Sequence, residues 1–176
     1  MTTERLILSR RLYEGHVISL REDTVEMPGG KQAKREVVEH RGAVVIVPLD
    51  GEGNVLMVRQ YRHAAGQTLL ELPAGTLNPK EFADDCAARE LQEETGHIGK
   101  LKRLGGFYSA PGFCSEFLHL YLATELRPSF LKPDEDERLE LVRVPFERAI
   151  ELVRRGEVKD AKSVAGLLLA RDLGLK

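Results

Sequence analysis

The sequence predicts an α/β fold: an α/β/α sandwich on a mixed β-sheet, with an N-terminal β-strand arm in front of it. Three observations carry this. Short β-branched runs recur from residue 43 onward, and helix-period segments separate them. One of those segments ends at Gly96 after a dense group of carboxylates. The first forty residues show only partial alternation around Pro28-Gly29-Gly30, too little to build a core of their own. A length of 176 residues with 42% hydrophobic and 31% charged content suits one full domain. Residues 1–40 are therefore taken as the arm and 41–176 as the domain.

The elements follow in order. His16 to Met27 and Lys31 to His40 read as strand, turn and strand. Ala43 to Pro48 is a continuous apolar run and predicts a strand buried on both faces. Asp50-Gly51-Glu52-Gly53-Asn54 is a turn, Val55 to Tyr61 the returning strand, and Thr68 to Leu72 another. Asn78-Pro79-Lys80-Glu81 predicts a helix start, with Asn78 as N-cap and Pro79 in the first helical position. Phe82, Cys86 and Ala87 then form a stripe that can pack on a sheet. Strands are expected over Leu104 to Tyr108, Phe117 to Ala123 and Leu139 to Val144, and helices over Phe146 to Arg155 and Ser163 to Leu173.

Composition excludes several functions. No apolar run approaches the length of a bilayer span, and the N-terminus lacks a signal-peptide core, so a cytoplasmic protein without membrane contact is expected. Cys86 and Cys114 are too few for a disulfide scaffold and too far apart for a CxxC site. A net charge of −2 argues against nucleic acid as a partner. That total hides local asymmetry. Residues 75–97 hold six acids against two bases, and residues 133–140 hold five against one. The remainder carries 23 bases and 17 acids.

The first acidic group is Arg89-Glu90-Leu91-Gln92-Glu93-Glu94-Thr95-Gly96. On a helix Glu90 and Glu94 share a face, and Glu93 lies beside it. Like charges at this spacing, near a helix C-terminus, destabilise the helix unless a cation offsets them. A hard divalent ion suits an all-oxygen set, whereas zinc would want histidine or cysteine. Arg89 can orient one carboxylate. Taken alone, three glutamates are more often a solvated surface. The wider spacing reverses that judgement: Gly75, five residues, Glu81, seven residues, Arg89-Glu90-Leu91, one residue, Glu93-Glu94, one residue, Gly96. This pattern resembles the box of the Nudix hydrolase family, departing only at His97, where an aliphatic residue is usual.

The resemblance implies a Nudix-type fold and hydrolysis of nucleoside diphosphates linked to another group. Carried across, it makes Glu90 and Glu94 the principal ligands of Mg²⁺ (Mn²⁺ is the alternative), with Glu93 a further ligand or near neighbour and the Ala74 carbonyl an added oxygen. Gly75, Glu81, Arg89 and Gly96 support the loop and the helix ends. Pro133-Asp134-Glu135-Asp136-Glu137 resembles the loop that supplies the late glutamates. It implies Glu135 as general base and Glu137 as a metal-side carboxylate, roles that exchange on a two-residue shift of register.

The flanks narrow the substrate. Ser109-Ala110-Pro111-Gly112-Phe113-Cys114-Ser115-Glu116, Val58-Arg59-Gln60-Tyr61-Arg62 and Lys34-Arg35-Glu36-Val37-Val38-Glu39-His40 resemble the ADP-ribose pyrophosphatase branch. That implies Arg35 and Arg62 against the phosphates and adenine region, Glu116 on the terminal ribose side, and His16 where relatives can place an aromatic against adenine. Arginine suits phosphate forks and base stacking. The implied reaction converts ADP-ribose and water to AMP and ribose 5-phosphate, in a homodimer joined by the arms. Another nucleotide sugar or dinucleotide remains an alternative substrate, and a non-catalytic nucleotide sensor remains an alternative from a different class.

Overall fold

The computed structural model describes residues 3–129, 131 and 138–174. Two compact units are present: Met1–Gly42 with Tyr108–Phe117, and Ala43–Phe107 with Leu118–Lys176.

The N-terminal unit is a three-stranded antiparallel sheet, β1 (Arg5–Glu14), β2 (Ser19–Glu26) and β3 (Gln32–Glu39), in the order β1-β2-β3. The two strands expected from the alternation are β2 and β3. Their turn closes through Met27 N–H to Lys31 O at 2.8 Å, with Gly29 and Gly30 at φ +93° and +81°, where a side chain would be strained. Strand β1 escaped sequence reading for a physical reason. Its register shifts between Leu6 and Leu8 and again between Arg11 and Tyr13, so the bulges break the period of two. Cross-strand pairs hold it, Arg5 to Glu26 and Arg11 to Glu39 among them. The segment Tyr108–Phe117 docks beside β3: Val38 N–H donates to Phe113 O at 2.8 Å, and Ser115 N–H to Val38 O at 2.9 Å.

The second unit contains β4 (Ala43–Pro48), β5 (Asn54–Arg62), β6 (Gln67–Glu71), β7 (Ala74–Thr76), α1 (Ala83–Thr95), β8 (His97–Tyr108), β9 (Phe117–Pro128), β10 (Leu139–Pro145), α2 (Phe146–Arg154) and α3 (Ala161–Asp172). One sheet runs β7-β4-β9-β8 and is mixed, since β4 pairs parallel with β9 and antiparallel with β7. A second runs β10-β5-β6 and is antiparallel.

Strand β4 explains the layering. Alternate side chains point to opposite faces. Val45 and Val47 join Phe146, Ala149, Ile150, Leu167 and Ala170 of α2 and α3 on one side. Val44 and Ile46 join Cys86, Ala87 and Leu91 of α1 on the other. This is the α/β/α sandwich expected from the sequence. Each fully buried Val or Ile contributes about 1.5–3 kcal/mol of burial free energy, which accounts for the unbroken apolar run.

The start of α1 departs from expectation. Asn78 does not cap it: Glu81 N–H bonds Asn78 O at 3.0 Å in a turn, and Lys80 sits at φ +68°, a left-handed conformation no helix can pass through. The helix begins three residues past Lys80, at Ala83. Its end is as expected, with Gly96 at φ +68° donating its N–H to Gln92 O.

Candidate active site

Two carboxylates one turn apart on α1 converge on two consecutive residues of β7. Glu94 Oε2 accepts the Ala74 N–H at 3.0 Å. The Glu90 carboxylate lies against Gly75 so closely that a Cβ there would fall 1.9 Å from Glu90 Cδ. Both glutamates are buried. Strand β7 is itself fixed by pairing with β4, Val45 opposite Ala74 and Val44 opposite Gly75. The core strand thus sets the backbone against which both carboxylates rest.

Arg89 organises the rest of the helix. It forks onto Glu81 through Nε at 2.9 Å and Nη2 at 3.0 Å, and its Nη1 reaches Glu90 at 2.6 Å and Glu93 at 2.8 Å. Glu81 also accepts the Asn78 N–H at 2.8 Å, tying helix to loop. The guanidinium beside it holds Glu81 below the usual carboxylate range, and Glu81 in turn, with Glu90 and Glu93, raises Arg89. Cys86 lies under this network. Burial, reinforced by Glu81 and Glu90, pushes its thiol up to about 12, so it remains a neutral packing group and no nucleophile. Its Sγ approaches the Gly75 and Thr76 carbonyls at 3.8 Å. His97, the one departure from the box, places Nδ1 2.6 Å from Thr95 O and stays half-buried.

The donor set fits a hard divalent cation. It is all oxygen, and the space that a side chain at position 75 would fill is taken by the Glu90 carboxylate. Among the described residues no three acidic, histidine or cysteine groups already form a ligand cluster. Arg89 holds Glu90 and Glu93. Glu135 and Glu137 lie outside the described residues.

Arg62 belongs to the same unit. It ends β5 and forks onto buried Glu71 at 2.8 and 2.7 Å. The remaining substrate candidates belong to the N-terminal unit. His16 occupies the exposed bend between β1 and β2 and lines a pocket with Arg11, Glu39 and His40. Arg35 donates through Nε to Glu4 at 3.2 Å, with a second bond from Nη2, beside Tyr108 and Phe113. Glu116 stands 3.5 Å from His40 Nδ1. That nitrogen also accepts the Gly42 N–H at 3.0 Å. The pairing of Glu71 with Arg62 and Lys162 was not foreseen. A lone glutamate ending an apolar strand is the only local signal it leaves.

A NUDIX domain model matches residues 39–167, and a nucleoside diphosphate sugar hydrolase N-terminal domain model matches residues 4–38. The ADP-ribose pyrophosphatase of Bacillus subtilis (strain 168) is 42% identical over 163 residues, spanning 91% of this chain and 88% of the relative. That of Mycobacterium tuberculosis (strain ATCC 25618 / H37Rv) is 43% identical over 166 residues, 92% of this chain and 80% of the relative. A methanol dehydrogenase activator of Bacillus methanolicus is 35% identical over 164 residues, covering 92% and 89%. A crystal structure of an ADP compounds hydrolase superposes with a TM-score of 0.85 at 25% identity, over 97% of this chain and 93% of that one. The carboxylates that α1 brings against Ala74 and Gly75, the fold beneath them and matches over nearly the whole length lead to one conclusion: the chain belongs to the Nudix hydrolases, enzymes that require a divalent metal.

Proposed function

We propose that this chain is a Mg²⁺-dependent ADP-ribose pyrophosphatase, converting ADP-ribose and water to AMP and ribose 5-phosphate. The observation that carries the reading is the convergence of Glu90 and Glu94 on Ala74–Gly75, in a chain similar over nine-tenths of its length to two ADP-ribose pyrophosphatases. Glu90, Glu94, Glu93, Glu137 and the Ala74 carbonyl would hold Mg²⁺, or Mn²⁺ in its place. When bound, the ion neutralises diphosphate charge and lowers the pKa of the attacking water. Arg89 keeps Glu90 and Glu93 oriented, and Glu81 keeps Arg89 in place. Glu135 takes the proton of the water. Arg62 and Arg35 meet the phosphates and adenine region, Glu116 the terminal ribose side, and His16 the adenine.

A homodimer in the cytoplasm completes the reading. Leu6, Leu8, Leu12 and Tyr13 on β1 are exposed apolar side chains, and a second copy would cover them. Sedimentation is expected to give a dimer, and a monomer at all concentrations would remove this part. Among the described residues no helix is long and apolar enough to cross a membrane.

The test is kcat/KM across a panel of ADP-ribose, nucleotide sugars and dinucleotides with Mg²⁺. ADP-ribose should rank first. A nucleotide sugar in first place would favour the substrate class named by the N-terminal family model. Tight binding of ADP-ribose without turnover would favour a regulatory protein, a reading supported by the relative named as an enzyme activator.

A further inference from the structure

One buried carboxylate outside α1 gathers two cations. Glu71, the last residue of β6, is only 1% exposed. It accepts Arg62 Nε and Nη2 from β5, and also the Nζ of Lys162. Lys162 lies in the first turn of α3, 91 residues along the chain. It donates as well to Asp160, the N-cap of α3, at 2.8 Å. The same turn sends Ser163 Oγ to accept the Leu72 N–H at 2.6 Å. The start of α3 is thereby pinned to Glu71 and Leu72, two residues before the Ala74 N–H that holds Glu94.

Charge accounting gives this cluster a purpose beyond packing. A carboxylate forked onto a single arginine cancels that arginine's charge and makes it a poor anion receptor. A second cation on the same carboxylate takes up part of its charge, so that less of the arginine's is neutralised at the fork. Asp160 balances the formal charge of the cluster, but it stands at the start of α3, where it accepts the Ser163 N–H at 3.0 Å, and bonds Lys162, not Arg62. Glu71 first, and then Glu94 and Asp160, raise the Arg62 guanidinium above its ordinary value, so the fork lies within electrostatic reach of Glu94 on α1.

We propose that Glu71 and Lys162 are positioning residues: Glu71 fixes the Arg62 fork, and Lys162, by sharing that carboxylate from α3, holds Glu71 in place and leaves Arg62 able to meet a diphosphate. This rests on Arg62 as the phosphate contact. Steady-state kinetics with ADP-ribose and Mg²⁺ on the full chain test it, with Lys162→Met, Lys162→Arg, Arg62→Ala and the Arg62→Ala/Lys162→Met double variant. Lys162→Met should raise KM about tenfold with kcat within about twofold, and Lys162→Arg should restore KM. In the Arg62→Ala background Lys162→Met should add nothing further. A Lys162→Met protein with a lowered Tm and unchanged KM, or an equal rise in KM in both backgrounds, overturns the proposal. Arg62→Ala with unchanged KM overturns it as well. Calorimetric titration with inorganic pyrophosphate reads the anion site without turnover. Should wild type leave ADP-ribose intact, an affinity for pyrophosphate that falls in Lys162→Met upholds the positioning role and discards only the substrate, whereas equal affinities discard the role.

Discussion

Gly75 lacks a side chain where the Glu90 carboxylate needs room, and the consequence is measurable. A Cβ at 1.9 Å from Glu90 Cδ forces that carboxylate away from β7. Gly75→Ala is expected to lower kcat by about 10²-fold or more, because displacements near 1 Å at a reacting centre cost that much. Fluorescence or CD unfolding should show the variant still folded; a variant with wild-type kcat would show that Glu90 has no required position. Glu81 yields a pH prediction. Its folded-state value lies below the ordinary 4.5 because of Arg89. A depressed carboxylate contributes stability that is complete above its unfolded value and disappears as pH falls through the folded one. Tm should therefore hold near neutrality and decline below about pH 4.5, and Glu81→Gln should flatten part of that decline. The spacing of the box made these residues legible in the sequence, since each acts on a neighbour within a few helical turns. The bonds from Glu71 to Lys162 were not legible, because no local period joins residues 91 positions apart.

Elements show where local rules held and where they were overridden. β4 was readable to its ends, since a strand buried on both faces must be apolar throughout. The strand β8 was expected only from Leu104, yet it begins at His97, directly after the C-cap of α1. Its exposed polar positions hid it, as edge strands carry no continuous apolar signal. Lys80 shifted the start of α1 by adopting positive φ, which neither the asparagine nor the proline before it announces. At the other end Gly96 stands at φ +68° with nothing within 4 Å of a would-be Cβ, so conformation alone demands glycine there. Gly96→Ala should cost about 1 kcal/mol in urea unfolding, and Gly96→Asn less. Equal stability of all three would mean that the turn relaxes freely.

For the whole molecule, the modest net charge of −2 conceals a division of labour. Acids concentrate on α1 and in residues 133–140, and bases predominate elsewhere. In the second unit that division takes physical form: Arg89 is surrounded by Glu81, Glu90 and Glu93, and Glu71 is surrounded by Arg62 and Lys162. On the proposed reading one network serves the metal and the other the diphosphate that the metal bridges. Fold class, family and Arg62 were legible because apolar periodicity, the box and its flanks are short-range patterns; the partners of Arg62, Glu71 and Lys162, were not, because strand pairing and the docking of α3 bring them together. The most direct test is ³¹P NMR of ADP-ribose incubated with the purified chain and Mg²⁺. The diphosphate resonances are expected to give way to those of AMP and ribose 5-phosphate, and chelating the metal is expected to stop this. Intact ADP-ribose, or conversion that continues at an unchanged rate after chelation, would contradict it.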